Sequence, residues 1–318
     1  MRCDVLGDQL GHCLIPKLTR RRNVGTVKIL IVGASGYIGS RVSLELSDMA
    51  HQLVGCDRRP SVRSEDFVSF LQESYSDLSD QTLSTIDVVI WLAGHSTVGM
   101  SVDDPEGCLN NNVSELLDFA HRLDRLGIPM IYASSASILS TTEDSYSLVS
   151  NEMRSNTYDA SKLAFDVMAR ALEYKVIGLR LGTVAGWSPN MRWDTLFNSM
   201  NKAAKFTGLV HASNCSNFRG VLFIEDLVAY IKHLLLQYEK DPHALSGKQV
   251  SLASWSGSIG TMAASIASYW GATVKFGPGS QTYSFVVNDR ELSAVMADNE
   301  LYLSIAERCE RFKKLNNW

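Results

Sequence analysis

The chain has 318 residues, 45% of them hydrophobic and 20% charged, with a formal net charge of −4. That length and apolar content support one large domain, or a domain with a smaller lobe, and the acidic balance offers no basic field for nucleic acid. No apolar run approaches the roughly 18 residues that a membrane span needs.

Residues 1–26 differ from the rest. Lys17, Arg20, Arg21 and Arg22 form a basic cluster, while Asp4 and Asp8 interrupt the acid-free, amphipathic character of a targeting peptide. A flexible extension is expected there, with a sorting signal or partner-binding arm as the alternative. Val27–Val32 (V-K-I-L-I-V) is rich in β-branched residues and ends at Gly33, which reads as a buried strand of a parallel sheet. Tyr37–Met49 has helical character. Gln52–Cys56 and Asp87–Leu92 read as further strands. Glu106–Leu126 carries Val113, Leu116, Leu117, Ala120 and Leu123 at helical spacing. Pro129–Ala133 is a strand, Tyr158–Tyr174 a helix, and Lys175–Leu179 one more strand. This alternation predicts βαβ units with helices on both faces of a parallel sheet. After about residue 183 the rhythm changes to Ser-, Asn- and Gly-rich loops and helices such as Ile224–Gln237 and Thr261–Tyr269. The expected fold is α/β, a Rossmann-type doubly wound parallel sheet over 27–183. Residues 184–318 would form mainly a smaller C-terminal substrate-binding lobe, with some segments returning to the sheet. The six cysteines (Cys3, Cys13, Cys56, Cys108, Cys215, Cys309) are scattered, without a C-x-x-C pair or an adjacent histidine cluster. A reduced cytoplasm follows as the expected compartment, with no disulfide and no metal site.

Three stretches carry chemistry. Gly33-Ala-Ser35-Gly36-Tyr37-Ile38-Gly39 follows a strand and opens a helix. Glycines there let the backbone turn tightly against a pyrophosphate at the helix N-terminus. Asp57, at the end of the second strand, can accept hydrogen bonds from ribose hydroxyls and would repel a 2′-phosphate, favouring NAD over NADP. Arg58 and Arg59 follow at once and offer that phosphate a partner instead. Finally, Tyr158-Asp-Ala-Ser-Lys162 puts a phenol and an ammonium on one helix face. A nearby cation favours the phenolate and suits the tyrosine to proton transfer near neutral pH.

The ordered set of G-A-S-G-Y-I-G, Asp57, Asp77-Leu78, Leu92-Ala93-Gly94, Asn112-Val113, Ser134-Ser135 and Y-D-A-S-K resembles the extended short-chain dehydrogenase/reductases, in their NAD-dependent epimerase/dehydratase branch. The resemblance runs from about Val27 to Gly186, with weaker echoes through Asp226. W-L-A-G-H-S-T-V-G-M-S-V (91–102), Pro105 and N-N-N-V (110–113) are similar to the UDP-galactose 4-epimerase family. The resemblance implies Asp77 and Leu78 beside the adenine, Leu92, Ala93 and Gly94 lining the cofactor, and Asn112 helping to hold it. It implies Ser135, preferred to Ser134, as catalytic serine with Tyr158 and Lys162. Related enzymes bind phosphate at the position of Arg219, and Arg192 in N-M-R-W-D could clasp a diphosphate. His95 is read as either structural or in touch with substrate. A homodimer through the helices Glu106–Leu126 and Tyr158–Tyr174 is a further implication, the alternative being that the sheet consumes their apolar faces.

The departures are specific. Ile138-Leu139-Ser140 stands where the family often has V-Y-G, and Ser96 where the epimerase commonly has a cofactor-side lysine. Thr183 replaces a substrate-contacting asparagine and lacks its paired amide donor and acceptor. Ala136-Ser137 fills the slot where sugar dehydratases carry an Asp-Glu pair, which argues against dehydration. The leading expectation is an NAD-dependent epimerase of a nucleotide-linked sugar acting through a transient keto intermediate. The alternatives are a reductase or dehydrogenase of a keto-sugar or other secondary alcohol, and a weakly catalytic cofactor-binding sensor or scaffold.

Overall fold

The first strand, β1 (Lys28–Val32), has nothing but aliphatic side chains after its lysine, and all four are buried. Ile29 and Ile31 join one core cluster and Leu30 and Val32 another, on the opposite face of the sheet. A strand covered on both faces needs apolar side chains in both alternations, and each one buried contributes about 1.5–3 kcal/mol. The computed structural model describes residues 26–139, 156–172, 176–241, 244–245, 247–279, 284–288, 290–296 and 302–318. The expected N-terminal extension lies outside these but for its last residue.

In chain order β1 is followed by α1 (Tyr37–Ser47), β2 (Gln52–Cys56), β3 (Ser69–Leu71), α2 (Asp80–Leu83), β4 (Val88–Trp91), α3 (Val98–Asp103), α4 (Pro105–Leu109), α5 (Glu115–Leu126) and β5 (Met130–Ser135). Then come α6 (Thr157–Met168), β6 (Val176–Leu181), β7 (Thr183–Ala185), α7 (Leu196–Thr207), β8 (Leu209–Ala212), β9 (Phe218–Phe223), α8 (Ile224–Lys240), β10 (Lys248–Leu252) and β11 (Trp255–Ser258). The chain ends with α9 (Ile259–Trp270), β12 (Thr273–Phe276), α10 (Arg290–Ser293) and α11 (Ile305–Leu315).

Among the described residues the main sheet has seven strands in the order β10-β6-β5-β4-β1-β2-β3, every neighbouring pair parallel. One face is covered by α1 and α8, whose Leu227, Val228, Ile231, Leu234 and Leu235 lie in the Ile29 cluster. The other is covered by α5 and α6, through Leu116, Phe119, Leu123 and Phe165. Thus β10 and α8, which follow residue 183, belong to the sheet layer. The smaller lobe holds a three-stranded sheet (β11-β9-β7) and a two-stranded one (β12-β8), packed with α7, α9 and α11.

Sequence periodicity gives a single helix over Glu106–Leu126, yet the structure inserts a π-helical turn at Asn110–Ser114 between α4 and α5. The wider turn brings Asn112 to the 94–95 backbone: its Oδ1 accepts from His95 N (2.9 Å) and its Nδ2 donates to His95 O (3.1 Å).

One buried ion cluster fastens α11 to α8. Arg308, fully buried, donates to both oxygens of Asp226 (2.7 and 3.2 Å) and to Glu225 (2.9 Å). Its guanidinium stands 4.4 Å from the centroid of Phe223. Removing one partner leaves a carboxylate without its counter-charge in an apolar setting. Arg308→Met is therefore expected to lose about 3 kcal/mol of stability in urea denaturation; an unchanged midpoint would count against this cluster as a fastening point.

Candidate active site at the carboxyl edge of the sheet

The loop after β1 is shaped by its glycines. Gly33 has φ +82°, and a Cβ there would stand 2.7 Å from Ala93 N. A Cβ on Gly39 would stand 2.1 Å from Gly33 O, so only glycine lets α1 come this close to the loop. The N-cap of α1, Gly36, offers no side-chain cap, which leaves the first amides of the helix for an anion. Asp57 stands opposite. Its Oδ2 accepts from Ser35 N and its Oδ1 from Arg59 N, both at 3.0 Å, and each oxygen keeps a lone pair for a further donor. Ser35 is buried; its hydroxyl donates to Pro60 O (2.8 Å), and its carbonyl accepts from Asn190 Nδ2 (2.7 Å) of the second lobe.

These elements surround a cavity of about 640 Å³. Gly33, Gly36, Tyr37, Ile38, Asp57, Arg58, Arg59, Leu92, Ala93 and Gly94 line it, together with Glu73, Ser74, Tyr75, Asn190 and Met191, for which the sequence alone gives no such role. The uncapped helix start, the glycine-only approach and the carboxylate at the end of β2 fit a dinucleotide.

A second cavity of about 370 Å³ shares Tyr37, Ile38, Leu92, Ala93, Ser96 and Arg192 with the first. Ser135 at the end of β5, Tyr158 and Lys162 on α6, and Thr183 at the start of β7 all line it. Asn156 caps α6 by accepting from Asp159 N (2.8 Å), and the four-residue spacing sets Lys162 Nζ 5.9 Å from the Tyr158 ring centroid. The same ammonium donates to Ala133 O (3.2 Å) and stands 5.1 Å from the ring centroid of Trp91. Burial pushes its pKa down to about 8, against the opposing pull of Asp166 and Cys108.

Behind Ser135 lies a chain of polar groups that the sequence reading missed. Ser135 Oγ and Ser137 Oγ are 2.6 Å apart, Ser137 donates to Asp159 Oδ1, and Asn156 donates to Asp159 Oδ2 (2.6 Å). Asp159 stood within the Tyr-Lys motif, but nothing in that spacing tells that its side chain turns back towards β5. Ser134 also lines the smaller cavity, its hydroxyl buried and lacking a hydrogen-bond partner.

Several residues expected at the site lie off both cavity linings. Leu78 packs in the core beneath the sheet and Asp77 is exposed, and from this stretch of chain it is Glu73, Ser74 and Tyr75 that line the larger cavity. Asn112 is buried behind Gly94 and acts as a strut for that turn, donating to Ser161 as well (3.0 Å). His95 Nε2 faces Asp104 at 3.5 Å. Arg219 lies 5.8 Å from the ring centroid of Phe285, and it is Phe285 that reaches the smaller cavity. Arg192 lines both cavities and is paired with Asp194 (2.8 Å).

A seven-stranded parallel sheet with a glycine-lined dinucleotide cleft, and a Tyr-x-x-x-Lys helix beside it, defines an extended short-chain dehydrogenase/reductase. Residues 29–250 match the model of the NAD dependent epimerase/dehydratase family, and the chain belongs to that family of enzymes. It is 27% identical over 233 residues to Protein CapI of Staphylococcus aureus, covering 66% of this chain and 69% of that protein. It is 31% identical over 130 residues to a UDP-glucose 4-epimerase of Neisseria meningitidis serogroup B, covering 35% of this chain and 37% of the relative. The match thus spans little more than a third of that epimerase. Among solved structures, UDP-glucuronic acid 4-epimerase from Bacillus cereus, in complex with UDP-glucuronic acid and NAD, shares the fold. Its TM-score is 0.73 at 18% identity, over 92% of this chain and 99% of that one. Among the described residues no helix is long and apolar enough to cross a membrane.

The buried ammonium has a thermodynamic consequence. Below about pH 8 the folded protein carries this charge at a burial penalty. Between there and the ordinary lysine value near 10.4, the unfolded chain still holds a proton that the folded one has lost, so this group's contribution to stability rises with pH. Lys162→Met should therefore be at least as stable as the parent at pH 7 and lack that rise, as followed by urea midpoints from pH 7 to 10; a clear loss of stability at pH 7 would contradict the penalty.

Proposed function

We propose that the protein is an NAD-dependent epimerase of a nucleotide-linked sugar, with NAD in the larger cavity and the sugar in the smaller one. The observation that carries this reading is the shared wall. Tyr37, Ile38, Leu92 and Ala93 line both spaces, so a nicotinamide reaching past them would meet Ser135, Tyr158 and Lys162. The relatives named as UDP-glucose 4-epimerases support the substrate class.

Bound NAD would supply a hydride acceptor, and the chain's own residues then do the following. Tyr158, as phenolate, takes the proton of a sugar hydroxyl while the same carbon gives up its hydride. Lys162 keeps the phenolate accessible through its positive field, which survives at neutral pH because its pKa is lowered only to about 8. Ser135 is placed to hydrogen-bond the oxygen where charge develops. Asp57 favours NAD, since its carboxylate offers acceptors to ribose hydroxyls and repels a phosphate. Arg192, at the junction of the two cavities, would exchange Asp194 for the substrate's diphosphate. Thr183 offers a hydroxyl to the sugar. Hydride returned to the other face of the keto sugar inverts the stereocentre.

A nucleotide sugar that raises the thermal midpoint of the NAD-loaded protein identifies a ligand for assay. With it, Tyr158→Phe is expected to retain NAD and fold normally but to lose at least about 100-fold in kcat. Undiminished turnover would overturn this assignment.

A further inference from the structure

Ser137 lines the smaller cavity next to Ser135, while Asp159 behind it is nine-tenths buried or more and is off the lining. A hydroxyl has one hydrogen. Ser137 gives its own to Asp159 Oδ1, so in the 2.6 Å contact between the two serines it is Ser135 that donates. The chain of donors runs Ser135 to Ser137 to Asp159, and Ser135 Oγ also accepts from Ser137 N (3.3 Å), which leaves it one lone pair for a donor in the cavity. Hydrogen bonds in such a chain polarise one another, which makes the outermost oxygen a better acceptor. Burial holds the Asp159 carboxyl above the ordinary carboxylate range, against the opposing effect of its bonds from Ser137 and Asn156.

We propose that Ser137 and Asp159 are positioning residues that couple Ser135 to a buried carboxylate and give the reacting hydroxyl's proton a second route beside Tyr158. In that route the substrate O–H bond breaks towards Ser135 Oγ. Ser135's own proton moves to Ser137 Oγ, and that of Ser137 moves to Asp159 Oδ1. The O–H electron pair becomes the second bond of the carbonyl, while the C–H pair leaves as the hydride that bound NAD would accept. One proton has moved from the sugar to Asp159, and return of hydride runs the chain backwards. With Asp159 protonated, the same hydroxyls point outwards and Ser135 donates to the carbonyl oxygen.

This relay rests on the reading of Ser135 as the neighbour of the reacting oxygen, and the test separates the two ideas. The NAD-loaded enzyme is mixed with its nucleotide sugar, and nicotinamide reduction is followed alongside the infrared signal of protonated carboxyl. The relay predicts a carboxyl signal that rises with reduction and is missing in Asp159→Asn. In a Tyr158→Phe background, Asp159→Asn or Ser137→Ala should remove about tenfold or more of the residual reduction rate, and Ser137→Thr should restore it. NAD retention and thermal midpoint identify variants that fail to fold, and Asp159→Asn, nearly isosteric, guards against that outcome. Equal residual rates in Tyr158→Phe with and without Asp159→Asn would overturn the relay. Undiminished turnover in Tyr158→Phe alone would overturn the tyrosine assignment and leave the relay to be judged by Asp159→Asn.

Discussion

An all-parallel sheet delivers the carboxyl end of every strand to one edge, and this constraint organises the molecule. β1 ends in the glycine loop, β2 in Asp57, β4 in Leu92-Ala93-Gly94, β5 in Ser135, and β6 runs on to Thr183. Because βαβ crossovers hide both faces, the strands must be apolar on both sides, so polar chemistry is confined to where they stop. The two cavities lie along that edge, and α6 brings Tyr158 and Lys162 to it from one side. The second lobe closes it from the other, through Asn190 on Ser35 O and Tyr37 Oη on Gly186 O (2.7 Å).

Within this frame the site is set by two buried groups of opposite sign on one helix. Lys162 is held against Trp91 and Ala133 O and loses hydration, which lowers its pKa while leaving it charged at neutral pH. Asp159, three residues earlier, is also withdrawn from water and linked through two hydroxyls to the end of β5. Periodicity explains the difference in direction. Tyr158 and Lys162 share a face at i and i+4, and Asp159 is turned by roughly 100° from its neighbour, which brings it round to Ser137. In the proposed reaction one helix would therefore serve the reacting oxygen from two sides.

Much of this was legible in the sequence. β2 is legible with its observed bounds, and β1, β4 and β5 to within a residue or two at each end, because buried parallel strands are largely apolar runs between polar or glycine stops. The glycine loop, Asp57, Ser135 and the Tyr-Lys pair were readable for the same reason: each follows a strand end or keeps a fixed helical spacing. What escaped depends on long-range placement. Asn112 was expected at the cofactor, yet a π turn sends it behind Gly94, and no periodicity of Glu106–Leu126 marks the extra residue. Asp77-Leu78 looked like the adenine edge, but Leu78 is consumed by the core beneath Trp91, and the chain passes the cavity earlier, at Glu73–Tyr75. Asn190 and the Ser137–Asp159 contact join residues far apart in the chain, which spacing alone does not reveal.

The claim on which the account turns is that a hydride, held within the enzyme, leaves and returns to the same sugar. It is tested most directly by placing deuterium on the carbon to be inverted and following the label through turnover in ordinary water. Retention of deuterium on the epimerised sugar, with none passing to added NAD, is the predicted result. Loss of the label to solvent would mean that the carbon is inverted by proton abstraction, and would contradict the account.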